Sequence, residues 1–174
     1  MIQRNSAAPA PDLRLIRALR AVPLFSCCSD NEFAAIAGFS RFIIADQDTR
    51  FFDEGDDCDA FFFVHEGLVE LYKTIGGDKR KVVEFIGAGQ TFAEAAVFAR
   101  IAYPVTAVTV IPSQVVRVNA GAFRRFLETH TDVQSNMLAA LSMRLHQLVT
   151  QITELSLLNA EQRVAAYLLE HRDT

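Results

Sequence analysis

Apolar positions change their period along this chain, and each change marks a different kind of element. From Pro11 to Leu19, Leu13, Ile16 and Leu19 recur at helical spacing. Pro23-Leu24-Phe25 breaks the pattern, and Ser29-Asp30-Asn31-Glu32 opens a second short helix with Phe33, Ile36 and Ala37 on its apolar side. From Phe39 to Asn119 the text turns to short β-branched and aromatic runs separated by Gly, Asp and Pro. It predicts strands near 40–45, 49–52, 60–65, 68–74, 80–86, 106–111 and 114–119. Turns fall at Glu54-Gly55-Asp56, Glu66-Gly67, Gly76-Gly77-Asp78, Gly87-Ala88-Gly89 and Pro112-Ser113. Short strands so regularly spaced predict a sandwich or barrel-like roll.

Within that β region, Gly87 to Ala107 reads as a glycine turn, a short apolar helix and a tight return. Gly87 and Gly89 permit positive φ, Thr91 is placed to cap a turn beginning near Phe92, and Pro104 ends the helix before it. Residues 120–129 predict another short helix. Leu138, Leu141, Leu145, Leu148, Ile152 and Leu155 then alternate spacings of three and four, an a/d seam. A helix from Asp132 to Leu158 is about 40 Å long at 1.5 Å per residue, too long for so small a roll to cover, so it predicts a parallel homodimer. Periodicity breaks at Asn159, and Ala160 to His171 begins a new amphipathic helix with Val164, Tyr167, Leu168 and Leu169. The organisation expected is a frayed segment 1–12, a roll with N-terminal helices over 13–131, a dimerisation helix over 132–158 and a further helix in 160–174.

Composition narrows the function classes. Half of the 174 residues are apolar, enough for one ordinary core, yet no run approaches the roughly 20 residues of a membrane span. The N-terminus lacks the apolar core of a signal peptide, so a cytoplasmic protein without membrane contact is expected. A net charge of −4 is a poor match to nucleic-acid phosphates, so a DNA-reading surface is expected elsewhere. Cys27, Cys28 and Cys58 have no zinc spacing and fall short of the four thiolates of an iron–sulfur cluster. Cys58 sits among Asp56, Asp57 and Asp59, which should raise its pKa and blunt its nucleophilicity. No hydrolytic triad or metal box has a recognisable spacing, and the acids Glu66, Glu70, Asp56, Asp57 and Asp59 show no basic partner in sequence. An enzyme is not expected.

The segment Phe92-Ala93-Glu94-Ala95, followed by Val105-Thr106-Ala107, resembles the phosphate-binding cassette of Crp/Fnr-type sensor domains. Phe52-Asp53-Glu54-Gly55-Asp56 and the stretch Phe62 to Leu71 resemble that family's glycine-kinked strand turns. The resemblance spans roughly residues 20–172. It implies a mixed, mainly β fold, a double-stranded β-helix or jelly roll of the cyclic-nucleotide-binding type followed by a long dimerisation helix. It also makes 160–174 the opening of a winged helix-turn-helix, with DNA and RNA polymerase as partners of the full regulator. Thr91 to Ala95 and Arg144-Leu145-His146-Gln147 further resemble the dissimilative nitrate respiration regulators, a haem-associated branch that senses nitric oxide to control denitrification genes.

This sequence departs from the cassette where a cyclic phosphate would bind. The family's Arg is Val105, and a bidentate guanidinium contact is not replaced by hydrocarbon. Glu94 and Thr106 remain, Ala93 replaces a Gly, and Arg100 is the nearby cation that could reach in. No cyclic nucleotide is therefore expected. The apolar residues Phe92, Ala95, Phe98, Tyr103 and Val105 either pack a ligand-free core or, as the second resemblance implies, meet haem between roll and long helix. His146 is the first choice of axial ligand, ahead of His65 and Tyr103. A cyclic-nucleotide-responsive regulator and a ligand-free dimerisation module are the alternatives.

Overall fold

A computed structural model describes residues 13–26, 28–76 and 79–157. The expected frayed segment 1–12, Cys27, and the expected helix in 160–174 lie outside the described residues. The chain divides into two compact units, Met1–Val133 and Gln134–Thr174.

The first unit opens with α1 (Leu13–Arg20), a 3-10 turn at Pro23–Phe25 and α2 (Asp30–Ala37). α2 starts where it does because Ser29 and Glu32 close a reciprocal box: the Ser29 hydroxyl accepts from the Glu32 amide, and the Glu32 carboxylate accepts from the Ser29 amide at 2.5 Å. Eight strands follow: β1 (Ser40–Ala45), β2 (Arg50–Phe52), β3 (Ala60–Glu66), β4 (Leu68–Ile75), β5 (Lys79–Gly87), β6 (Thr91–Phe92), β7 (Thr106–Thr109) and β8 (Ser113–Asn119). They form two four-stranded antiparallel sheets, ordered β1-β8-β3-β6 and β2-β7-β4-β5. The fold is the expected mainly β jelly roll of the cyclic-nucleotide-binding type.

β3 shows why its sequence lacks alternation. Ala60, Phe62 and Val64 face the core between the sheets, while Phe61 meets Phe25 and Phe123 on the opposite side with ring centroids at 6.3 and 5.0 Å. Apolar residues on both faces give a continuous run, AFFFV. The inter-sheet core gathers Phe52, Phe62, Val64, Val69, Leu71, Ile86, Phe92 and Val115. α4 (Ala120–Thr129) is capped by Asn119, whose Oδ1 accepts from the Ala122 amide at 2.8 Å.

α5 (Thr131–Leu157) supplies the described part of the second unit. Along it Leu138, Leu141, Leu145, Leu148 and Ile152 are 40 to 66 % exposed. The side chain of Leu155, the sixth seam position, lies outside the described residues.

Candidate ligand site

The segment after β5 makes a cradle. Gly89 turns with φ +87°, and its amide donates to the Val64 carbonyl at 2.9 Å, while the Val64 amide donates to the Gln90 carbonyl at 2.9 Å. Gly87 keeps a negative φ, contrary to expectation, so only the second glycine of the turn uses its freedom. Thr91 is not a helix cap either. It and Phe92 are drawn into β6 against β3, where Phe92 opposes Phe62 with rings stacked at 4.9 Å. The helix α3 (Glu94–Ala99) begins behind Ala93, which takes the left-handed conformation at φ +68° without any side-chain cap. It ends at Arg100, φ +55°, well before Pro104, so the left-handed turn rather than the proline terminates it.

These elements enclose a cavity of about 230 Å³. Its apolar walls come from Phe52, Leu71, Ile86, Phe92, Tyr103, Pro104 and Val105, its polar ones from Glu84, Thr91 and Glu94, and Ala93, Ala95 and Ala96 close it. Among the expected site residues the structure thus brings together Phe92, Glu94, Ala95, Tyr103 and Val105. Thr106 is buried nearby, its Oγ1 accepting from the Glu54 amide at 3.0 Å and not lining the cavity. Phe98 is half exposed and sets its ring edge against Phe123 at 6.2 Å. His146 is exposed on α5, in the second unit.

Of the remaining histidines described, His65 packs against Phe42 with ring centroids at 5.6 Å. His130 places Nδ1 2.8 Å from the Phe126 carbonyl and stacks on that ring at 4.1 Å. Tyr103 is buried, its hydroxyl donating to the Ala60 carbonyl at 2.8 Å and accepting from the Ala60 amide at 3.1 Å. Burial pushes the ionisation of Tyr103 well above the ordinary phenol range, the Ala60 bond partly opposing it.

Sequence reasoning missed Glu84, Phe52, Leu71 and Ile86. β5 shows no alternation that would have found them: Glu84 is exposed, pairs across from Leu71, and reaches the cavity rim from the sheet face on which buried Ile86 lies two residues on. The result is a cavity with two carboxylates and no basic lining residue. Oε2 of Glu94 is buried without a hydrogen-bond partner among the described residues. Arg100 does not reach in. It borders a separate cleft of about 370 Å³ with Asp57, Cys58 and Arg124. There burial, more than the neighbouring Asp59, pushes the Cys58 thiol pKa up, against a smaller lowering by Tyr103, Ala60 and Arg124. Nor is Asp59 without a cation, since Arg117 on the neighbouring strand β8 pairs with it.

The geometry is that of a β-roll sensor module, and comparison with known proteins agrees. A family model described as the cyclic nucleotide-binding domain matches residues 45–130. The crystal structure of DNR from Pseudomonas aeruginosa aligns at TM-score 0.74 and 34 % identity, over 88 % of this chain and 68 % of that one. The sensor domain of the transcriptional regulator DNR from the same organism aligns at TM-score 0.66 and 30 % identity, over 77 % of this chain and 90 % of that one. The cAMP-activated global transcriptional regulator CRP of Haemophilus influenzae is 25 % identical over 119 residues, 66 % of this chain and 52 % of that protein. The chain spans about half the length of that curated relative. It belongs to the Crp/Fnr superfamily of transcription regulators, with similarity to DNR. That superfamily consists of DNA-binding dimers rather than enzymes, and among the described residues no helix is long and apolar enough to cross a membrane.

Proposed function

We propose that this chain is the sensor and dimerisation part of a transcription regulator whose signal is not a cyclic nucleotide. The observation that carries the reading is the cavity lining: Val105 stands where the cassette places its arginine, and Glu84 and Glu94 are the charged residues on the walls. A buried phosphate without a charged partner, facing two carboxylates, loses several kcal/mol, on the order of what a useful affinity requires. In this reading residues 13–131 sense, the helix over 132–158 dimerises, and 160–174 open a winged helix-turn-helix that reaches DNA and, in the full regulator, RNA polymerase.

The resemblance through Arg144-Leu145-His146-Gln147 favours haem, and with it nitric oxide, as the signal in control of denitrification genes. The roll cavity itself does not fit haem. At about 230 Å³ it falls below the ~300 Å³ at which pockets for drug-sized ligands begin. Its two carboxylates would face the haem propionates, and the Tyr103 hydroxyl is already engaged with Ala60. The second unit fits better. His146 is exposed on α5, and Met143 and Val149, three residues to either side and therefore on its helix face, are 66 and 53 % exposed. His146 would hold the iron, with Met143 and Val149 against the macrocycle, and the bound iron would supply a site for a diatomic gas.

Haem titrated into the purified protein should saturate at one equivalent per subunit with a sharp Soret band. His146→Ala should shift or weaken that band. Unsaturable uptake, the same in both proteins, would remove haem and leave a regulator with another signal or a ligand-free dimerisation module.

A further inference from the structure

A further cleft, of about 370 Å³, shares Phe52 and Tyr103 with the cassette cavity, and its charges are arranged unlike those of that cavity. Ile43, Phe51 and Phe62 form its apolar wall, with Phe51 and Phe62 in ring contact at 5.3 Å. Ile43 and Phe62 face the roll core. The period of two therefore brings Arg41 and Arg117 to the same face, and the β1–β8 register sets these two arginines directly opposite one another. Like charges opposed across a strand pair are destabilising, so each needs a partner.

Three arginines and three aspartates line the cleft, and most of them are accounted for inside the fold. Arg117 pairs with Asp59, and Arg50 pairs with Asp53 at 2.7 Å, just outside the lining. The Asp56 carboxylate accepts from the Asp53 amide at 2.9 Å. Among these groups Arg41 is the cation without an ion pair, and Asp57 is the anion with neither ion pair nor hydrogen bond, Asp56 holding only the amide of Asp53. Arg41 and Asp57 are both exposed and make no hydrogen bond or ion pair with a described residue. Asp57 also borders the cleft of Arg100 and Arg124, without pairing to either.

An apolar wall flanked by one unpaired guanidinium and one unpaired carboxylate is complementary to a zwitterion with an apolar body. We infer that this cleft binds a free α-amino acid with an aromatic or branched side chain. The ligand carboxylate goes to Arg41, its ammonium to Asp57 and its side chain to Phe51, Phe62 and Ile43. A simple anion would gain Arg41 but face the carboxylates of Asp56, Asp57 and Asp59. An amine would gain Asp57 but face three guanidinium groups. The cleft shares only Phe52 and Tyr103 with the cassette cavity and includes neither Val105 nor His146, so the inference does not rest on the haem reading.

The test is calorimetric titration of the full chain with phenylalanine and leucine, beside 3-phenylpropionate and phenethylamine, which each lack one charge. At least one amino acid should bind saturably. Both single-charge analogues should bind about tenfold or more weakly, the loss expected for one charged hydrogen bond. Arg41→Gln and Asp57→Asn, both exposed and so tolerated by the fold, should each weaken the amino acid by a similar factor without moving the melting temperature. Absence of heat from both amino acids would overturn the inference. So would equal affinity for 3-phenylpropionate, or undiminished binding to Arg41→Gln.

Discussion

Tyr103 lies flat on Phe52, with ring centroids 3.7 Å apart and planes within 10°. That stack forms part of the wall of both the cassette cavity and the cleft beside Arg41. Through its hydroxyl the same residue ties the return after α3 to the start of β3 at Ala60. Tyr103→Phe keeps the stack but leaves the Ala60 amide and carbonyl without that partner, and should cost about 1–3 kcal/mol in chemical denaturation. The pH dependence has a definite sign. The folded-state pKa is raised above the ordinary value of about 10, so the folded state holds its proton where the unfolded chain has lost it. The stability from this group is full below pH ~10 and falls as pH rises above it. Tyr103→Phe should flatten that alkaline loss; an unchanged slope would mean that other groups cause it.

Two left-handed residues in the roll should respond to substitution in opposite directions. Gly67, at φ +107°, joins β3 to β4, and a Cβ there would lie 2.1 Å from Oγ and 2.7 Å from Cα of Ser113. Ser113 has little room to yield, because its hydroxyl donates to the Ile111 carbonyl at 2.7 Å and accepts from the Leu68 amide at 3.2 Å. Gly67→Ala should therefore destabilise by about 3 kcal/mol. Ala93 already bears the conformational cost at φ +68°, so Ala93→Gly should stabilise by up to about 1 kcal/mol. Urea midpoints for the two variants, on either side of the parent, are the measurement.

The contrast between Gly67 and Ala93 also shows what the residues made legible. Turns marked by glycine between β-branched runs, such as Glu66-Gly67, could be placed from sequence because only special backbone geometry demands that residue. The long helix was equally legible, since its 3.5-residue repeat runs from Leu138 to Leu155 and the helix is described from Thr131 to Leu157. Ala93 gave no local sign of its left-handed turn, and only the comparison with a family glycine pointed there. β6 was not legible either, because two residues show no period, and what makes them a strand is Phe62, thirty positions away in the chain. The cavity charge was hidden for the same reason: Glu84 becomes a wall only through its register with Leu71.

The exposed stripe on α5 should be the dimer seam. Leu145 lies in its middle and is 64 % exposed in the single protomer. A glutamate there would put a charge on each side of a two-fold contact, where neither can be desolvated or paired. Leu145→Glu should sediment as a monomer at concentrations where the parent is a dimer, with the β signal of the roll unchanged by circular dichroism. A mutant that remains dimeric would place the interface off the seam.

Cyclic AMP should give no saturable heat with the parent protein, because the cavity lining offers its phosphate no cation. Val105→Arg places a guanidinium at the cassette position, yet the new charge will be drawn to Glu84 and Glu94 as well as to a ligand. The single variant should thus bind weakly. Adding Glu84→Gln removes a carboxylate that lies outside the cassette segments, while leaving Glu94, which lies within them. The double variant should bind more tightly than Val105→Arg alone by about tenfold or more, the scale of one charged contact. This ordering, parent below single below double, separates a cavity disabled by charge from one disabled by shape. If neither variant binds, the left-handed Ala93 backbone and the volume of the cavity, rather than Val105, are what exclude the nucleotide. Micromolar binding by the parent would overturn the proposed signal class itself.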